Sequence, residues 1–185
     1  MKRVVILLCV AVASCTVGMA QGDQKKTVTS VMDGTLSRIE RELVPAVEAM
    51  PEDKFDFAPT NGEFKGVRTF AQQVKHVAAT NYVFAARILG EKPPVDTGGE
   101  NGPDALKTKG DIVKFLKDSF AYAHKAVATI NEGNAVTPIK NASGEVSSTR
   151  LGMGMLFAWH GFDHYGQIVE YLRMNGIVPP ASRGN

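Results

Sequence analysis

Cysteine is nearly absent from this sequence: the 185 residues contain two, Cys9 and Cys15. Both lie in the first 20 residues, a segment interpreted below as an export signal. The rest of the chain therefore has no disulfide, no thiolate nucleophile and no sulfur ligand for a metal. Its stability must come from an apolar core, which is feasible because a domain of about 165 residues buries about 68–70% of its surface on folding.

A surplus of charge of either sign is also absent. The chain has 21 Lys and Arg against 19 Asp and Glu, and without Lys2 and Arg3 the two totals are equal at 19. This balance, with no basic block, argues against nucleic acid as a partner. The 44% apolar and 22% charged residues are typical of one globular domain, not of a disordered chain or a coiled-coil rod.

Long hydrophobic runs are missing as well. The apolar run Val4–Val12 has nine residues, whereas a transmembrane helix needs about 20. The basic residues Lys2 and Arg3 precede the run, and Gly18 and Ala20 provide small residues at positions −3 and −1 of a cleavage site. We therefore predict a signal peptide over residues 1–20, followed by one domain over residues 21–185.

A second interpretation of the same segment is a lipoprotein signal. Val12-Ala13-Ser14-Cys15 resembles a bacterial lipobox, which would leave a lipid anchor on Cys15. Under either interpretation the folded domain is exported, to the periplasm or the cell envelope.

Apolar residues at spacings of three and four indicate amphipathic helices. We predict four of them, over about 27–49, 67–89, 109–132 and 149–175, each followed by a proline or glycine that ends it. Thr108 and Asp111 have the spacing of a capping box at the start of the third helix. Residues 92–107 form a loop rich in Pro and Gly, and residues 133–148 are polar and turn-forming. The predicted fold class is all-α, a four-helix bundle.

Two histidines of the fourth helix point to metal chemistry. His160 and His164 are four residues apart, so their rings leave the same helix face with Cβ atoms about 5–6 Å apart. That spacing lets both rings reach one metal ion at about 2.0–2.1 Å. Both positions fall within the apolar stripe, so the pair faces the bundle interior. The alternative is two core histidines that hydrogen-bond to tyrosines or backbone carbonyls.

The other histidines and the single tryptophan are less informative. His76 lies on the polar flank of the second helix, which predicts a surface histidine or one that borders a cleft between the second and fourth helices. His124 lies beside the apolar stripe of the third helix and is expected to be packed or half-exposed. We expect Trp159 to pack against its neighbours.

The second and fourth helices together carry a family resemblance. Residues 70–90 read FAQQVKHVAATNYVFAARILG, and residues 159–180 read WHGFDHYGQIVEYLRMNGIVPP. This pair of segments resembles the DinB-like superfamily of four-helix-bundle metalloproteins, over about residues 27–180. In that family one histidine of the second helix and an HxxxH pair of the fourth bind one divalent metal. The resemblance implies His76, His160 and His164 as ligands, and it implies no ligand role for His124.

The implied ligand set favours a catalytic metal over a structural one. Three neutral imidazoles leave the double charge of the ion uncompensated and at least one coordination position open. Water or a thiol bound there would lose its proton more easily. Zn²⁺ suits these ligands best, with Ni²⁺, Fe²⁺, Cu²⁺ and Mn²⁺ as alternatives. Polar neighbours that could orient the rings are Asp163, Gln167 and Glu170 on the fourth helix and Thr80 or Asn81 on the second.

Three functional hypotheses follow. The first is a metal-dependent enzyme, either a thiol transferase, as the resemblance implies, or a water-activating hydrolase, with a small-molecule substrate and no assigned general base. The second is a non-catalytic metal-binding or small-ligand-binding protein of the envelope. The third is a structural bundle with core histidines. The thiols used in the known family activities are chiefly cytoplasmic, so an export signal argues against that activity here. The bundle is also compatible with a homodimer.

Overall fold

Four long α-helices dominate the computed structural model, which describes residues 25–141 and 143–184. They are α1 (Val28–Ala49), α2 (Phe70–Leu89), α3 (Lys109–Val127) and α4 (Arg150–Met174). The predicted all-α class and the number of long helices are confirmed. The predicted signal over residues 1–20 lies outside the described residues. Within the described part of the chain, no helix is both long and apolar enough to cross a bilayer.

A threonine caps the N-terminus of each long helix. In every case its side-chain oxygen accepts a hydrogen bond from the backbone N–H three residues later, and a cap of this kind contributes about 1 kcal/mol. The four caps are Thr27, Thr69, Thr108 and Thr149. The capping box predicted at Asp111 is wrong in one respect. Its carboxylate accepts a hydrogen bond from the Thr108 hydroxyl instead of from the Thr108 backbone N–H.

Two predicted helix boundaries differ from the structure. The second helix begins at Phe70 and not at Val67, because the Val67 N–H donates to the carbonyl of Phe64 in a preceding turn. The third helix ends at Val127, after which the chain tightens: the Ile130 N–H donates to the carbonyl only three residues before it. Ile130 still lies in the core, with no exposed surface. The apolar stripe therefore extended past the true helix end.

A short β-hairpin replaces part of the predicted turn region before the fourth helix. Strands β1 (Pro138–Lys140) and β2 (Val146–Thr149) pair antiparallel, with Ile139 opposite Ser148. Ile139 is buried against the core, and Thr149 both ends β2 and caps α4. Strands of three and four residues are too short for a period of two to be recognised, which explains why the sequence did not predict them.

The bundle places α2 between α3 and α4, and α1 contacts the same two helices from the opposite side. The core contains large side chains from every helix, among them Ile39, Leu43, Phe70, Val74, Leu116, Phe120, Phe157 and Ile168. His124 contributes to the α1–α3 contact, because its Nδ1 lies 2.6 Å from Asp33 Oδ1 and its Nε2 lies 3.1 Å from Glu40 Oε2. The expectation of a half-exposed His124 is confirmed. The direct contact between α2 and α4 brings together the two helices that carry the remaining three histidines.

The expectation that Trp159 packs against its neighbours is wrong. Its side chain is 70% exposed at the edge of an apolar groove of about 340 Å³ between α1 and α4. The groove is lined mainly by Val31, Leu36, Leu151, Met155 and Trp159. Trp159 precedes the inward-facing His160 by one residue, and a step of 100° turns its ring out of the α2–α4 contact.

The α1–α4 contact depends on a glycine. A Cβ atom added at Gly161 would lie 2.8 Å from Cγ1 of the fully buried Ile39, whereas one added at Gly166 on the same helix would meet no atom within 4 Å. We therefore expect Gly161→Ala to lower the free energy of unfolding by about 1–3 kcal/mol through overpacking. Gly166→Ala should raise it by about 0.5–1 kcal/mol, because alanine restricts the unfolded chain. Chemical denaturation of the two variants measures both effects, and equal stabilisation by both would contradict the close approach.

Candidate metal centre

Three imidazole rings from two helices meet at the α2–α4 contact. His76 comes from α2, and His160 and His164 come from successive turns of α4. The ring centroids of His76 lie 5.0 Å from His160 and 4.9 Å from His164, and the two α4 rings lie 4.5 Å apart. Each residue offers a ring nitrogen, and these nitrogens all lie within 4.8 Å of one another. The prediction of a surface position for His76 is thus wrong, whereas the predicted cleft between the helices is present.

A backbone carbonyl sets the protonation of the His76 ring. Its Nδ1 lies 2.7 Å from the carbonyl oxygen of Glu100. A carbonyl oxygen only accepts hydrogen bonds, so Nδ1 carries the proton and Nε2 of the neutral ring carries a free lone pair. Nε2 faces the Nε2 of His160 at 3.1 Å. The ligand nitrogen of His76 therefore points at the other two rings.

The segment that supplies this carbonyl is tied to α2, and to Arg68 just before α2, by contacts at Glu100 and at the residues that follow it. The Arg68 guanidinium donates from Nε to the Glu100 carbonyl at 3.2 Å and from Nη2 to its carboxylate at 3.0 Å. The buried Lys75 donates from Nζ to the carbonyl of Pro103 at 2.9 Å. Gly102, with a φ of 72°, lies so close to α2 that an added Cβ would be 2.5 Å from the Cβ of Lys75. These contacts hold the loop against α2 beside His76.

A chain of side-chain amides supports His164. Its Nδ1 lies 2.7 Å from Oε1 of Gln73, and Nε2 of Gln73 donates to Oε1 of Gln167 at 2.7 Å. Nε2 of Gln167 in turn donates to Oδ2 of Asp163 at 3.3 Å. Gln73 and His164 are both buried, with 1% and 5% of their surface exposed. This arrangement leaves the Nε2 of His164 free, as the carbonyl contact does for His76.

His160 is the least supported of the three rings. Because His76 Nε2 carries a lone pair, the 3.1 Å contact between the two Nε2 atoms makes His160 the donor in this state. Its other nitrogen, Nδ1, is buried and has no hydrogen-bond partner among the described residues. Phe84 is the aromatic neighbour of the ring, at 6.0 Å between centroids. A cation shared with His76 would replace the proton between the two Nε2 atoms.

Burial keeps all three rings neutral. Desolvation lowers the pKa of His76, with a further decrease from the positive charge of Arg68. Desolvation also lowers the pKa of His160 and of His164 to about 4, and unfavourable charge interactions with the neighbouring histidines add to it. At neutral pH the rings therefore carry no positive charge that would have to be lost before a metal ion could bind.

A comparison with known protein families decides the classification. The sequence pattern of the DinB superfamily matches residues 35–168 of this chain, which is most of its length. The chain belongs to the DinB superfamily. The resemblance inferred from the second and fourth helices is confirmed. A search of curated proteins finds no significant match.

Some of the residues proposed to orient the rings of this DinB-superfamily protein lie near the cluster, and others do not. Gln167 and Asp163 belong to the hydrogen-bond chain that reaches His164, although Asp163 is at the exposed end of it. Glu170 is exposed and lies outside that chain. Thr80 lines a cavity beside His76. The suggestion of Asn81 is wrong, because its amide faces α3 and donates to Ser119.

Two groups that orient the histidine rings were not predicted from the sequence. Gln73 lies three residues before His76, on a helix face that periodicity assigns to the polar flank. The Glu100 carbonyl belongs to a loop that periodicity cannot place. The only available signal for Gln73 was its spacing from His76, which puts both side chains on one side of α2.

The low pKa values of His160 and His164 predict acid sensitivity of the metal-free DinB fold. The folded pKa of each is about 4 against an ordinary value of 6.5, so their neutral form stabilises the fold above about pH 6.5. That stability is lost as the pH falls towards 4, because the unfolded chain binds protons first. We expect a loss of roughly 3 kcal/mol from the buried His164 alone. Denaturation between pH 7 and 4 in a chelator measures this slope.

The control for this experiment is the double variant His160→Gln/His164→Gln, which cannot titrate at these positions. Its stability should depend much less on pH over the same range. Parallel pH profiles of the two proteins would show that the rings are not buried as neutral groups.

Proposed function

We propose that this protein is a metal-dependent enzyme of the thiol transferase or hydrolase type, which binds one divalent ion through His76, His160 and His164. The preferred ion is Zn²⁺, with Ni²⁺, Fe²⁺ and Mn²⁺ as alternatives. The observation that carries the proposal is the convergence of three neutral imidazoles from two helices, with the Nε2 of His76 and of His164 left free by hydrogen bonds at Nδ1.

The dimensions of the cluster suit such an ion. Two ligands of a tetrahedral zinc ion, each at about 2.0–2.1 Å, stand about 3.3 Å apart. The His76 and His160 Nε2 atoms are 3.1 Å apart, and all three residues have a nitrogen within 4.8 Å of the others. The buried Nδ1 of His160 would take up the proton that leaves its Nε2.

The chemistry of the donor set supports catalysis. A divalent ion held by three neutral ligands supplies a Lewis acid with an open position, which favours an anionic fourth ligand such as a thiolate or a hydroxide. The chain adds the positive charge of Arg68 on the same side, since this charge lowers the pKa of all three rings. Because Arg68 is paired with the Glu100 carboxylate, the attraction of the site for small anions would come mainly from the bound ion.

A cavity of about 430 Å³ adjoins His76 and offers room for the rest of a small substrate. Its lining combines the hydroxyl-bearing Thr80 and Thr97 with Val83 and the backbone of the Gly98–Glu100 segment. The chain's contribution on this side is to bind and orient: hydroxyls and backbone groups supply hydrogen bonds, and Val83 supplies an apolar contact.

Metal binding is tested with single histidine variants. We expect the purified protein to bind one Zn²⁺ per chain in competition with a chelator. His76→Ala, His160→Ala and His164→Ala should each weaken binding by at least 100-fold, because each removes a ligand. The matched control is His124→Ala, which removes the histidine outside the cluster and should leave the affinity unchanged. Binding that survives the loss of His164, or that is lost with His124, would contradict the assignment.

Turnover separates an enzyme from a metal-binding protein. The metal-loaded protein is assayed for transfer of low-molecular-weight thiols to electrophiles and for hydrolysis of ester and amide substrates, each assay being repeated with His164→Ala. Activity that is lost with the metal and with His164 supports the enzyme. Tight metal binding without turnover in either panel would support the alternative, a non-catalytic bundle that binds a metal or a small ligand.

The location in the cell envelope is part of the proposal and rests on residues 1–20. Cleavage after Ala20 predicts a mature protein that begins at Gln21 and appears in the soluble periplasmic fraction. A lipid on Cys15 would instead give a membrane-associated protein with a modified N-terminal cysteine, a product that Cys15→Ala would abolish. Mass spectrometry of the protein from fractionated cells distinguishes these outcomes. An unprocessed chain in the cytoplasm would contradict export.

A further inference from the structure

We propose that Gln73 is a positioning residue that holds His164 in the tautomer with the proton on Nδ1. The exposed carboxylate of Asp163 sets the direction of the hydrogen bonds that run from Asp163 through Gln167 and Gln73 to His164. The tautomer is a property of the metal-free protein. Its use by a metal rests on the proposed function.

The direction of this chain of hydrogen bonds follows from its exposed end, the carboxylate of Asp163. A carboxylate only accepts hydrogen bonds, so Asp163 requires the NH₂ group of Gln167 to face it. The Gln167 oxygen then faces Gln73, which must present its own NH₂ group, at 2.7 Å. The Gln73 oxygen is left to face His164 Nδ1, also at 2.7 Å. A nitrogen that faces an amide oxygen must donate, so Nδ1 carries the proton.

Burial makes this direction difficult to reverse. If the Gln73 amide turned over, its NH₂ group would face the protonated Nδ1, and its oxygen would face the oxygen of Gln167. Even if His164 changed tautomer at the same time and accepted from this NH₂ group, the hydrogen bond between Gln73 and Gln167 would be lost at a residue with 1% of its surface exposed, where water cannot replace it. Each unsatisfied buried group costs about 1–3 kcal/mol. One orientation of Gln73 is therefore strongly preferred, and with it one tautomer of His164.

The fixed tautomer of His164 affects how this residue, the third proposed ligand, would bind a metal ion. With the proton held at Nδ1, the Nε2 lone pair of His164 faces His76 and His160 before any ion arrives, so binding needs no change of tautomer at this ring. Gln73 also differs from the carboxylates that often orient metal-binding histidines, because its amide is neutral. It fixes the ring without adding negative charge, which keeps the three-histidine set uncharged.

The test begins with the tautomer in metal-free protein. Long-range ¹⁵N–¹H correlation spectra of protein with ¹⁵N-labelled histidine identify the protonated ring nitrogen, with His164→Gln used for assignment. We expect His164 to carry its proton on Nδ1. Gln73→Leu removes the acceptor and should give a mixture of tautomers and a Zn²⁺ affinity lower by about 10–100-fold. Gln73→Glu keeps an acceptor for Nδ1 and should restore the wild-type tautomer.

A second pair of variants tests the role of Asp163 without disturbing the core. Asp163→Asn provides an amide that can face Gln167 with either its oxygen or its NH₂ group, so the direction of the chain is no longer imposed. We expect a detectable population of the other His164 tautomer and a loss of Zn²⁺ affinity below 10-fold. Glu170→Gln removes one negative charge from the same helix outside the chain, and should change neither.

The outcomes separate this proposal from the proposed function. A wild-type His164 protonated on Nε2, or a tautomer that both Gln73→Leu and Asp163→Asn leave unchanged, would overturn the positioning role. If Gln73→Leu does not fold, the Asp163→Asn and Glu170→Gln pair still decides the question. Protonation on Nδ1 that responds to both variants, in a protein with no affinity for Zn²⁺, would support the positioning role while contradicting the metal site.

Discussion

The contact between α2 and α4 depends on three imidazoles that must stay neutral. Their centroids lie 4.5–5.0 Å apart, a distance at which two positive charges in a partly buried site would repel strongly. Desolvation removes that conflict by holding the pKa of His160 and His164 at about 4. The same neutrality leaves ring lone pairs available to a cation. Packing of the two helices and the availability of these lone pairs therefore depend on one physical condition.

The three rings are supported unequally, and the difference has a structural origin. His76 lies beneath the loop that Arg68, Lys75 and Gly102 hold against α2, so a backbone carbonyl is available to it. His164 is more buried, and the side chain of Gln73 from α2 contacts its Nδ1. His160 has no partner for Nδ1 among the described residues. It is the ring that carries its proton on the nitrogen that faces His76.

The two sides of α4 have different tasks. Towards α2 it presents His160, His164 and Gln167, a polar surface that is hydrogen-bonded across the contact except at the Nδ1 of His160. Towards α1 it presents Gly161, which allows Ile39 to approach closely. The polar side can be buried because most of its groups are paired with partners on α2. The helix thus combines a tightly packed face towards α1 with a hydrogen-bonded polar face towards α2.

The sequence by itself determined the parts of this protein that repeat along a helix. Threonine caps and apolar spacing define the four long helices, and the i, i+4 spacing alone places His160 and His164 on one face. Only the tertiary structure decided the partners from elsewhere in the chain: the inward position of His76, the amide of Gln73 and the carbonyl of Glu100. Periodicity describes one helix at a time, whereas these contacts depend on how far α2 is rotated against α4 and on where a loop without a period comes to rest.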